Sequence, residues 1–222
     1  SGKLNICVIG IGRIGLPTAL SFANSGLPTI GVDINEKLVE MITSRNFPLN
    51  DEPGYDIIFD KVINENKFKA TTSFSEGVSS SDVIVLSLPT PMDEKNIPDY
   101  SSLLSIAKKL HDEISDGKLI IIESTVEPGF VENDFLKIIE GDDNKLKLGK
   151  NFALGVCPET ANPGQILNDF ERLPRLVGAM DEHTQNLITK IYKHVFTVEL
   201  IPMPNCKTAN AVKLTTNVFR DL

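Results

Sequence analysis

Three glycines near the start of the chain have the spacing of a phosphate-binding turn. Gly10, Gly12 and Gly15 stand in the order G-x-G-x-x-G, between a short apolar run at 4–9 and a helix-like stretch at 16–24. The first glycine permits a tight turn, the second lets the backbone approach a pyrophosphate, and the third lets the helix pack closely on the strand. The free N–H groups at the start of the helix would then face the phosphates. The chemistry that this spacing indicates is the binding of a dinucleotide.

A carboxylate follows at the position where a ribose would lie. A second apolar run at 29–32 ends on Asp33, whose carboxylate is placed to accept hydrogen bonds from a ribose 2′-OH. Ile34 and Asn35 come next, with no arginine to hold a 2′-phosphate, so NAD is favoured over NADP. A lone G-x-G-x-x-G also occurs at strand ends that bind no ligand. The flanking strands and the acid in register are what favour the nucleotide interpretation.

Polar residues recur at helical spacing near the end of the chain. The i, i+4 spacing of Lys213 and Asn217 puts both on one helix face, where a cation and an amide could act together. On the stripe alone, the solvated face of an amphipathic helix is the preferred interpretation. The polar face consists of Asn210, Lys213, Asn217 and Arg220, and the opposite face of Val212, Thr215, Phe219 and Leu222.

The residues between these motifs alternate between strand-like and helix-like segments. Continuous apolar runs such as 83–88 and 119–122 are typical of strands that are buried on both faces of a parallel sheet. The alternation predicts an α/β fold with a Rossmann-like, doubly wound and mostly parallel sheet. The predicted strands are 4–9, 29–32, 68–71, 83–88, 119–122, 152–156 and 175–178. The predicted helices are 16–24, 36–44, 55–66, 101–114, 130–140 and 182–195. A helical turn capped by Ser73 and Glu76 and a loop over 157–168 are also predicted.

Three loops rich in proline, threonine and carboxylate follow strands of this sheet, at 89–92, 124–129 and 157–164. Ligands of doubly wound sheets bind beyond the carboxyl ends of the strands. Prolines also merely end strands, so one such loop decides nothing. Three of them beside a dinucleotide motif favour a site.

Length, charge and cysteine content exclude several classes of protein. The 222 residues suffice for one large domain or for one and a fraction. The net charge of −8 argues against nucleic acid as a partner. No apolar stretch approaches the roughly 20 residues that span a bilayer, and no signal peptide opens the chain, so no membrane association is expected. Cys7, Cys157 and Cys206 are widely spaced, which fits a reducing cytoplasm and offers no metal-binding pattern.

Six motifs, in order along nearly the whole chain, resemble those of the nucleotide-sugar 6-dehydrogenases, the UDP-glucose/GDP-mannose dehydrogenase family. They are GIGRIGLPTA at 10–19, LSLPTPM at 86–92, ESTVEPG at 123–129, CPETANPG at 157–164, RLVG at 175–178 and TANAVKLTTNVFRD at 208–221. The patterns CPE-x-x-x-PGQ, RLVG and KLT-x-N-x-FRD are most similar to the UDP-N-acetylmannosamine dehydrogenase branch.

The resemblance implies NAD as cofactor and a UDP-sugar as substrate. Members of the family oxidise a sugar C6 alcohol to a carboxylate, using two NAD+ in succession. A base takes the hydroxyl proton while a hydride leaves C6, and a cysteine thiolate captures the aldehyde as a thiohemiacetal. A second hydride transfer gives a thioester, from which water releases the acid. The negative charge that develops on oxygen requires a cation and hydrogen-bond donors nearby.

Four residues match catalytic positions of the family. Lys213 resembles the lysine that stabilises the oxyanion, and Asn217 resembles the amide donor beside it. Thr125 resembles the threonine that holds the catalytic water, and Glu159 the carboxylate that supports the water or the base. From the sequence alone, Thr125 is also placed to cap a helix, and the two roles are compatible.

The cofactor contacts implied by the resemblance extend beyond the glycines and Asp33. Pro89 and Thr90 resemble the loop that covers the nicotinamide side, and Thr125 also belongs to this set. Inside the turn, Arg13 and Ile14 are predicted to contact the cofactor. Arg13 stands where many relatives carry an aromatic residue, and it either touches the pyrophosphate or faces solvent.

Two further departures concern the substrate and the catalytic helix. Asn210 stands where relatives often have a glutamate, three residues before the lysine. Residues 160–162, Thr-Ala-Asn, replace the sequences seen elsewhere after the glutamate. The identity of the sugar is therefore left open.

We expect residues 1–203 to form the NAD-binding domain and residues 204–222 to begin an interdomain helix. The family's nucleophilic cysteine lies downstream of that helix and has no counterpart here, so we expect NAD binding without sugar oxidation. A homodimer is expected for the full-length protein, because relatives use the interdomain helix as their dimer surface. Two alternatives stay open: a non-catalytic NAD-binding module, and a β-hydroxyacid-type dehydrogenase domain, which also carries Lys-x-x-x-Asn on the helix after the cofactor domain.

Overall fold

A computed structural model describes residues 4–143 and 145–221. The strands within these ranges form one eight-stranded sheet, which confirms the predicted α/β, doubly wound fold. They are β1 (Ile6–Ile9), β2 (Thr29–Val32), β3 (Phe68–Thr71), β4 (Val83–Leu86), β5 (Lys118–Ile122), β6 (Phe152–Val156), β7 (Arg175–Ala179) and β8 (Leu200–Pro202). The strand order is β3-β2-β1-β4-β5-β6-β7-β8, and only the β6–β7 pair is antiparallel among the described strands.

The winding of the sheet reverses between β1 and β4. Strand β1 pairs in parallel with β2 on one side and with β4 on the other, so that Ile6 lies opposite both Thr29 and Val83. Right-handed crossovers in opposite directions from such a point place helices on both faces of the sheet. The carboxyl ends of β1 and β4 therefore border the crevice in which doubly wound sheets bind their ligands.

Helices cover both faces of the sheet. They are α1 (Gly15–Asn24), α2 (Glu36–Thr43), α3 (Tyr55–Asn64), α4 (Phe74–Ser79), α5 (Ser101–Glu113), a π-helical turn (Val131–Phe135) that continues into α6 (Leu136–Glu140), α7 (Ile166–Arg172), α8 (Glu182–Val195) and α9 (Cys206–Asp221). The cap predicted at Ser73 is confirmed, since its Oγ accepts a hydrogen bond from Glu76 N at 3.2 Å. The Glu76 carboxylate pairs with Lys69 at 2.7 Å.

The core consists of two apolar clusters, one on each face of the sheet. In β1, Ile6 and Val8 belong to one cluster, and Cys7 and Ile9 belong to the other. Successive side chains of a strand point to opposite faces, so a strand that is apolar throughout fits only between two helical layers. All four residues are 3% exposed or less.

Three elements differ from the prediction. The loop predicted over 157–168 ends early, because α7 begins at Ile166. Strand β8 was not predicted; it has three residues and ends on Pro202, so its apolar pattern is too short to recognise. The helix predicted at 130–140 begins with the π-helical turn and is α-helical only over Leu136–Glu140.

None of the helices in the described part of the chain has the length and hydropathy that a bilayer-spanning segment requires.

Candidate functional site

The glycine turn after β1 is shaped by contacts that leave no room for side chains. Gly10 has φ +87°, and a Cβ there would lie 2.5 Å from the carbonyl oxygen of Ser87. A Cβ on Gly15 would lie 1.8 Å from the carbonyl oxygen of Gly10, so the first turn of α1 rests directly on the loop. Gly12 differs, because nothing lies within 4 Å of its Cβ position. The backbone at Gly12 is therefore open to a ligand, as the approach of a pyrophosphate requires.

This turn opens into a cavity of about 1310 Å³ at the carboxyl ends of β1, β2, β4 and β5. The cavity also reaches the loop after β6 and the helix α9. Every residue predicted from the sequence to bind the cofactor or take part in catalysis lines it. These residues are Gly10, Gly12, Arg13, Ile14, Gly15, Asp33, Pro89, Thr90, Thr125, Glu159, Lys213 and Asn217.

Asp33 is tied to the glycine turn. Its Oδ2 accepts a hydrogen bond from Ile11 N at 3.0 Å, and its Oδ1 accepts one from Asn35 N at 2.9 Å. Both bonds fix the carboxylate at the mouth of the cavity, where Ile34 beside it is 89% exposed. The arrangement leaves further lone pairs of the carboxylate for the hydroxyls of a ribose.

Arg13 is held by two acidic residues of the segment between α2 and α3. Its guanidinium forms an ion pair with Asp51 and lies 3.6 Å from Glu52 Oε1. The hydrogen bond from Arg13 holds the pKa of Asp51 below its ordinary value. Arg13 therefore pairs with acidic residues of the chain itself, while half of its side chain stays exposed.

Glu52 links this segment to the loop after β6, a contact that the sequence did not reveal. Its carboxylate is buried and accepts hydrogen bonds from the backbone N–H groups of Gly164 and Ile166. It therefore satisfies free N–H groups at the start of α7, as a side-chain cap does, but from a distant part of the chain. This cap explains why α7 begins inside a segment predicted as loop.

Hydrogen bonds join the loops that follow β4 and β5. Ser124 Oγ accepts from Leu88 N at 2.9 Å and donates to Leu88 O at 2.8 Å, and Thr90 Oγ1 donates to Thr125 O at 2.9 Å. The two loops therefore form one wall of the cavity. The alternative of Thr125 as a helix cap is wrong, since the following helical segment is preceded by Phe130.

Lys213 and Asn217 meet on the inner face of α9. Lys213 Nζ donates to Asn217 Oδ1 at 2.9 Å, and Lys213 is only 5% exposed. The interpretation of this stripe as a solvated face is therefore wrong for Lys213 and for Asn210, which is 1% exposed. The opposite face is the exposed one, with Phe219 at 75%. The side chains of Arg220 and Leu222 lie outside the described part of the structure.

At the cavity wall, Glu159 is held by backbone N–H groups and by Arg175. Its Oε1 accepts hydrogen bonds from the N–H groups of Thr160 and Ala161, both at 2.5 Å, and its Oε2 lies 2.7 Å from Arg175 Nη1. The same guanidinium nitrogen lies 3.3 Å from Oε1 of Glu123. The sequence motifs contained both partners, but nothing in them indicated that the two residues meet.

The three cysteines are buried and uncharged near neutral pH. Burial raises the pKa of the Cys7 and Cys206 thiols to about 12, and it raises the pKa of Cys157 as well. A thiol with a raised pKa is a poor nucleophile, because the thiolate is the reactive form. Among the described residues that line the cavity there is no cysteine. The described residues contain no group of His, Cys, Asp or Glu side chains arranged to hold a metal ion.

Comparisons with known proteins agree with this geometry. Residues 4–196 match the sequence model of the UDP-glucose/GDP-mannose dehydrogenase family, NAD binding domain. The chain is 34% identical to UDP-N-acetyl-D-mannosamine dehydrogenase of Campylobacter jejuni, over 98% of this chain and 53% of that protein. It is 32% identical to Protein CapL of Staphylococcus aureus, over 98% of this chain and 49% of that protein.

Solved structures give the same result. The structure of UDP-D-ManNAc dehydrogenase from Pyrococcus horikoshii superimposes with a TM-score of 0.91 at 32% identity, covering 98% of this chain and 51% of that one. This chain thus spans about half the length of the relatives that it matches. The matched half is their cofactor-binding half, which confirms the predicted cofactor, NAD.

Proposed function

Because this chain belongs to the UDP-glucose/GDP-mannose dehydrogenase family, we propose that it is the NAD-binding part of an enzyme that oxidises UDP-N-acetylmannosamine at C6 to the uronic acid. The observation that carries the proposal is the meeting of two sets of residues in one cavity. The glycine turn and Asp33 suit a dinucleotide, and Lys213, Asn217 and Glu159 suit the oxidation of an alcohol.

The residues present fit NAD. The open backbone at Gly12 and the N–H groups of the first turn of α1 suit the pyrophosphate. The Asp33 carboxylate suits the ribose hydroxyls, and it would repel the 2′-phosphate of NADP. Pro89 and Thr90 lie on the wall formed by the loops after β4 and β5, on the side proposed for the nicotinamide. When bound, NAD supplies the acceptor for the hydride that leaves C6.

Lys213 is the group best placed to stabilise a developing alkoxide. Its ammonium is almost wholly removed from solvent and is oriented by Asn217 Oδ1. In such a site, the attraction between a cation and a developing negative charge is much stronger than in water. Asn217 retains its amide N–H groups as donors toward the same oxygen.

Thr125 and Glu159 suit the handling of water and protons. Thr125 lies on the cavity wall with its carbonyl held by Thr90. The Glu159 carboxylate is oriented by two backbone N–H groups and by Arg175. A carboxylate held in this way can accept a proton from water without moving.

The thiolate that forms the thioester would have to come from outside this chain. Among the three cysteines, none is placed in the cavity and each is kept protonated by burial. We therefore infer that this chain binds NAD and does not complete the oxidation alone.

The organisation of the whole protein follows from the same reasoning. We propose that residues 1–203 are the cofactor domain and that the segment 204–222, most of which is α9, leads into the remainder of the enzyme. The exposed apolar residues Val212, Val218 and Phe219 on α9 suit the contact surface of a homodimer. The unpaired, buried thiols suit the reducing cytoplasm.

The proposal is tested by turnover of a panel of UDP-sugars by the longer enzyme, followed as the appearance of NADH. We expect UDP-N-acetylmannosamine to give two NADH per sugar and the 222-residue chain alone to give no sustained turnover. If the chain alone sustains NADH formation, the proposed need for an external cysteine is wrong. If the longer enzyme binds NAD but oxidises no sugar in the panel, a non-catalytic NAD-binding module becomes the better account.

A further inference from the structure

At the cavity wall, two buried carboxylates share one guanidinium. Glu123 follows the last residue of β5, Arg175 is the first residue of β7, and Glu159 lies in the loop after β6. Arg175 Nη1 is 3.3 Å from Glu123 Oε1 and 2.7 Å from Glu159 Oε2. The three side chains are 0%, 1% and 9% exposed, respectively, so solvent screens the charges very little.

The shared guanidinium is confined by aromatic rings. The Cζ of Arg175 lies 4.4 Å from the ring centre of Phe170 and 4.0 Å from that of Phe196. Tyr192 lies 5.7 Å away. The rings therefore keep the guanidinium beside the two carboxylates and away from solvent.

Glu123 is held by donors from two helices. Tyr192 Oη on α8 donates to Oε1 at 2.8 Å, and Thr18 Oγ1 on α1 donates to Oε2 at 3.2 Å. The two helices pack on the sheet from the same side and bury Glu123, which borders the cavity from within. Glu159 also borders the cavity, but it is held by backbone N–H groups of its own loop.

The charges in this cluster do not balance when both glutamates are ionised, since one cation then faces two anions. Burial, and next to it the repulsion by Glu159, raises the pKa of Glu123 to about 7, against the opposing effect of Arg175. The other titratable groups that face the cluster are Cys157 after β6, Tyr192 on α8 and Tyr55 on α3. Burial raises the pKa of each of them, so they stay protonated near neutral pH.

We propose that Glu123 and Arg175 are positioning residues for Glu159, and that the gain or loss of one proton on Glu123 sets how Arg175 is shared between the two carboxylates. With Glu123 protonated, the guanidinium pairs with Glu159 alone. When Glu123 releases its proton to solvent, it competes for the guanidinium, and the Glu159 carboxylate loses part of its interaction with Arg175. This coupling rests on the proposed function in one respect, namely that Glu159 takes part in the reaction.

The test is a pH titration of the 222-residue chain carrying glutamate labelled with 13C at the carboxyl carbon, followed by NMR. We expect one glutamate signal with a midpoint near pH 7, which Glu123→Gln removes. A second signal, identified by its loss in Glu159→Gln, should shift at the same midpoint in the parent. In Glu123→Gln that step should be absent.

Two more variants make the test specific. Tyr192→Phe removes a donor to the Glu123 carboxylate, so the midpoint should move to higher pH while the fold is kept. Glu132→Gln changes a partly buried glutamate elsewhere, whose Oε1 accepts from Lys207 N at 2.8 Å, and should leave both signals unchanged.

The proposal is overturned if no glutamate of the folded chain titrates above about pH 6, which is well beyond the ordinary range. It is also overturned if the Glu159 signal keeps its step in Glu123→Gln, or if Tyr192→Phe leaves the midpoint in place. The titration uses neither cofactor nor sugar. Its failure would thus leave the proposed function standing, and a failed turnover assay would leave this coupling standing.

Discussion

The Asp33 carboxylate accepts two backbone hydrogen bonds and still borders the cavity. We expect Asp33→Asn to keep the size of the side chain but to lose one of these two bonds, because its amide nitrogen cannot accept, and to weaken NAD binding by about 1.5–3 kcal/mol, the range for a hydrogen bond to a charged group. The same change should reduce the preference for NAD over NADP, because it removes the repulsion of a 2′-phosphate. Calorimetric titration of both cofactors measures the two effects. Asp56→Asn, in the exposed first turn of α3, is the control.

Lys213 and Lys207 form a matched pair on α9. Lys213 is buried beside Asn217, whereas the side chain of Lys207 is exposed. In the longer enzyme, Lys213→Ala should lower turnover by roughly 10²–10³-fold, as the loss of an oxyanion-stabilising group does, with little change in NAD affinity. Lys207→Ala should leave turnover unchanged. Equal turnover of the two variants would contradict the role given to Lys213.

Glu123 should make stability depend on pH in a defined window. Its pKa is about 7 in the folded chain and close to 4.5 for an ordinary glutamate. Between these values the folded state keeps a proton that the unfolded chain has released, so stability falls as pH rises. Each unit between the two pKa values corresponds to about 1.4 kcal/mol. Urea unfolding at pH 5, 6, 7 and 8 should show this fall in the parent and not in Glu123→Gln; parallel curves would refute it.

The carboxyl groups of Asp99 and Asp181 make the stability of the fold depend on pH in the opposite direction. Hydrogen bonds donated by Ser101 and Thr184, respectively, lower their pKa values, so their stabilising effect is lost only as the pH falls below the ordinary range for aspartate. The window assigned to Glu123 is therefore separate from theirs.

The sequence predicted single residues of the site better than their contacts. All predicted site residues line the cavity: residue types and local spacing identified the glycine turn and Asp33, and the family resemblance identified Thr125, Glu159, Lys213 and Asn217. The contacts of Glu52 with Gly164 and of Glu123 with Arg175 join residues far apart in sequence. No periodicity within either segment indicates such a pairing, so these contacts emerged only from the fold.

At the scale of elements, two glycines of the turn between β1 and α1 are needed for different reasons. Gly15 allows the helix to pack on the loop, and Gly12 leaves space for the pyrophosphate. Gly15→Ala places a Cβ 1.8 Å from the Gly10 carbonyl oxygen, so the helix must shift. We expect its Tm to fall by more than about 4 °C, given roughly 2–4 °C per kcal/mol for a domain of this size. Gly12→Ala meets no atom within 4 Å and should keep the parent Tm.

In Gly12→Ala the new methyl group instead occupies the approach of the pyrophosphate. NAD affinity should drop by about tenfold or more, equivalent to at least 1.4 kcal/mol. Scanning calorimetry and cofactor titration on both variants separate the two effects. A Gly12→Ala chain that binds NAD as well as the parent would place the pyrophosphate elsewhere.

The element order was largely predictable, and its failures have physical causes. Strands buried on both faces gave long apolar runs, and these were recognised. Helix α7 was missed because the carboxylate that caps it comes from Glu52, outside the segment. The periodicity of α9 alone favoured a solvated polar face, whereas Asn210 and Lys213 of that face are buried and Phe219 on the opposite face is exposed; the family resemblance indicated the correct face. A periodic pattern identifies the two faces of a helix but not which of them is covered.

At the scale of the whole molecule, the net charge of −8 and the anionic cofactor are compatible. Arg13, Lys109 and Lys213 line the cavity together with the carboxylates of Asp33, Glu123 and Glu159, while most of the acidic charge lies elsewhere. The switch between β1 and β4 brings these cations and the N–H groups of the glycine turn to one edge of the sheet. The local balance of charge at the cavity therefore differs from the net charge of the whole chain.

The central claim, that the chain is an NAD-binding domain with its site in this cavity, is tested most directly by calorimetric titration of the 222-residue chain with NAD+ and with NADP+. We predict that NAD+ binds at one site per chain and that NADP+ binds at least about tenfold more weakly, a difference of 1.4 kcal/mol or more. Absence of NAD+ binding by the folded chain, or NADP+ binding of equal or higher affinity, would contradict the account.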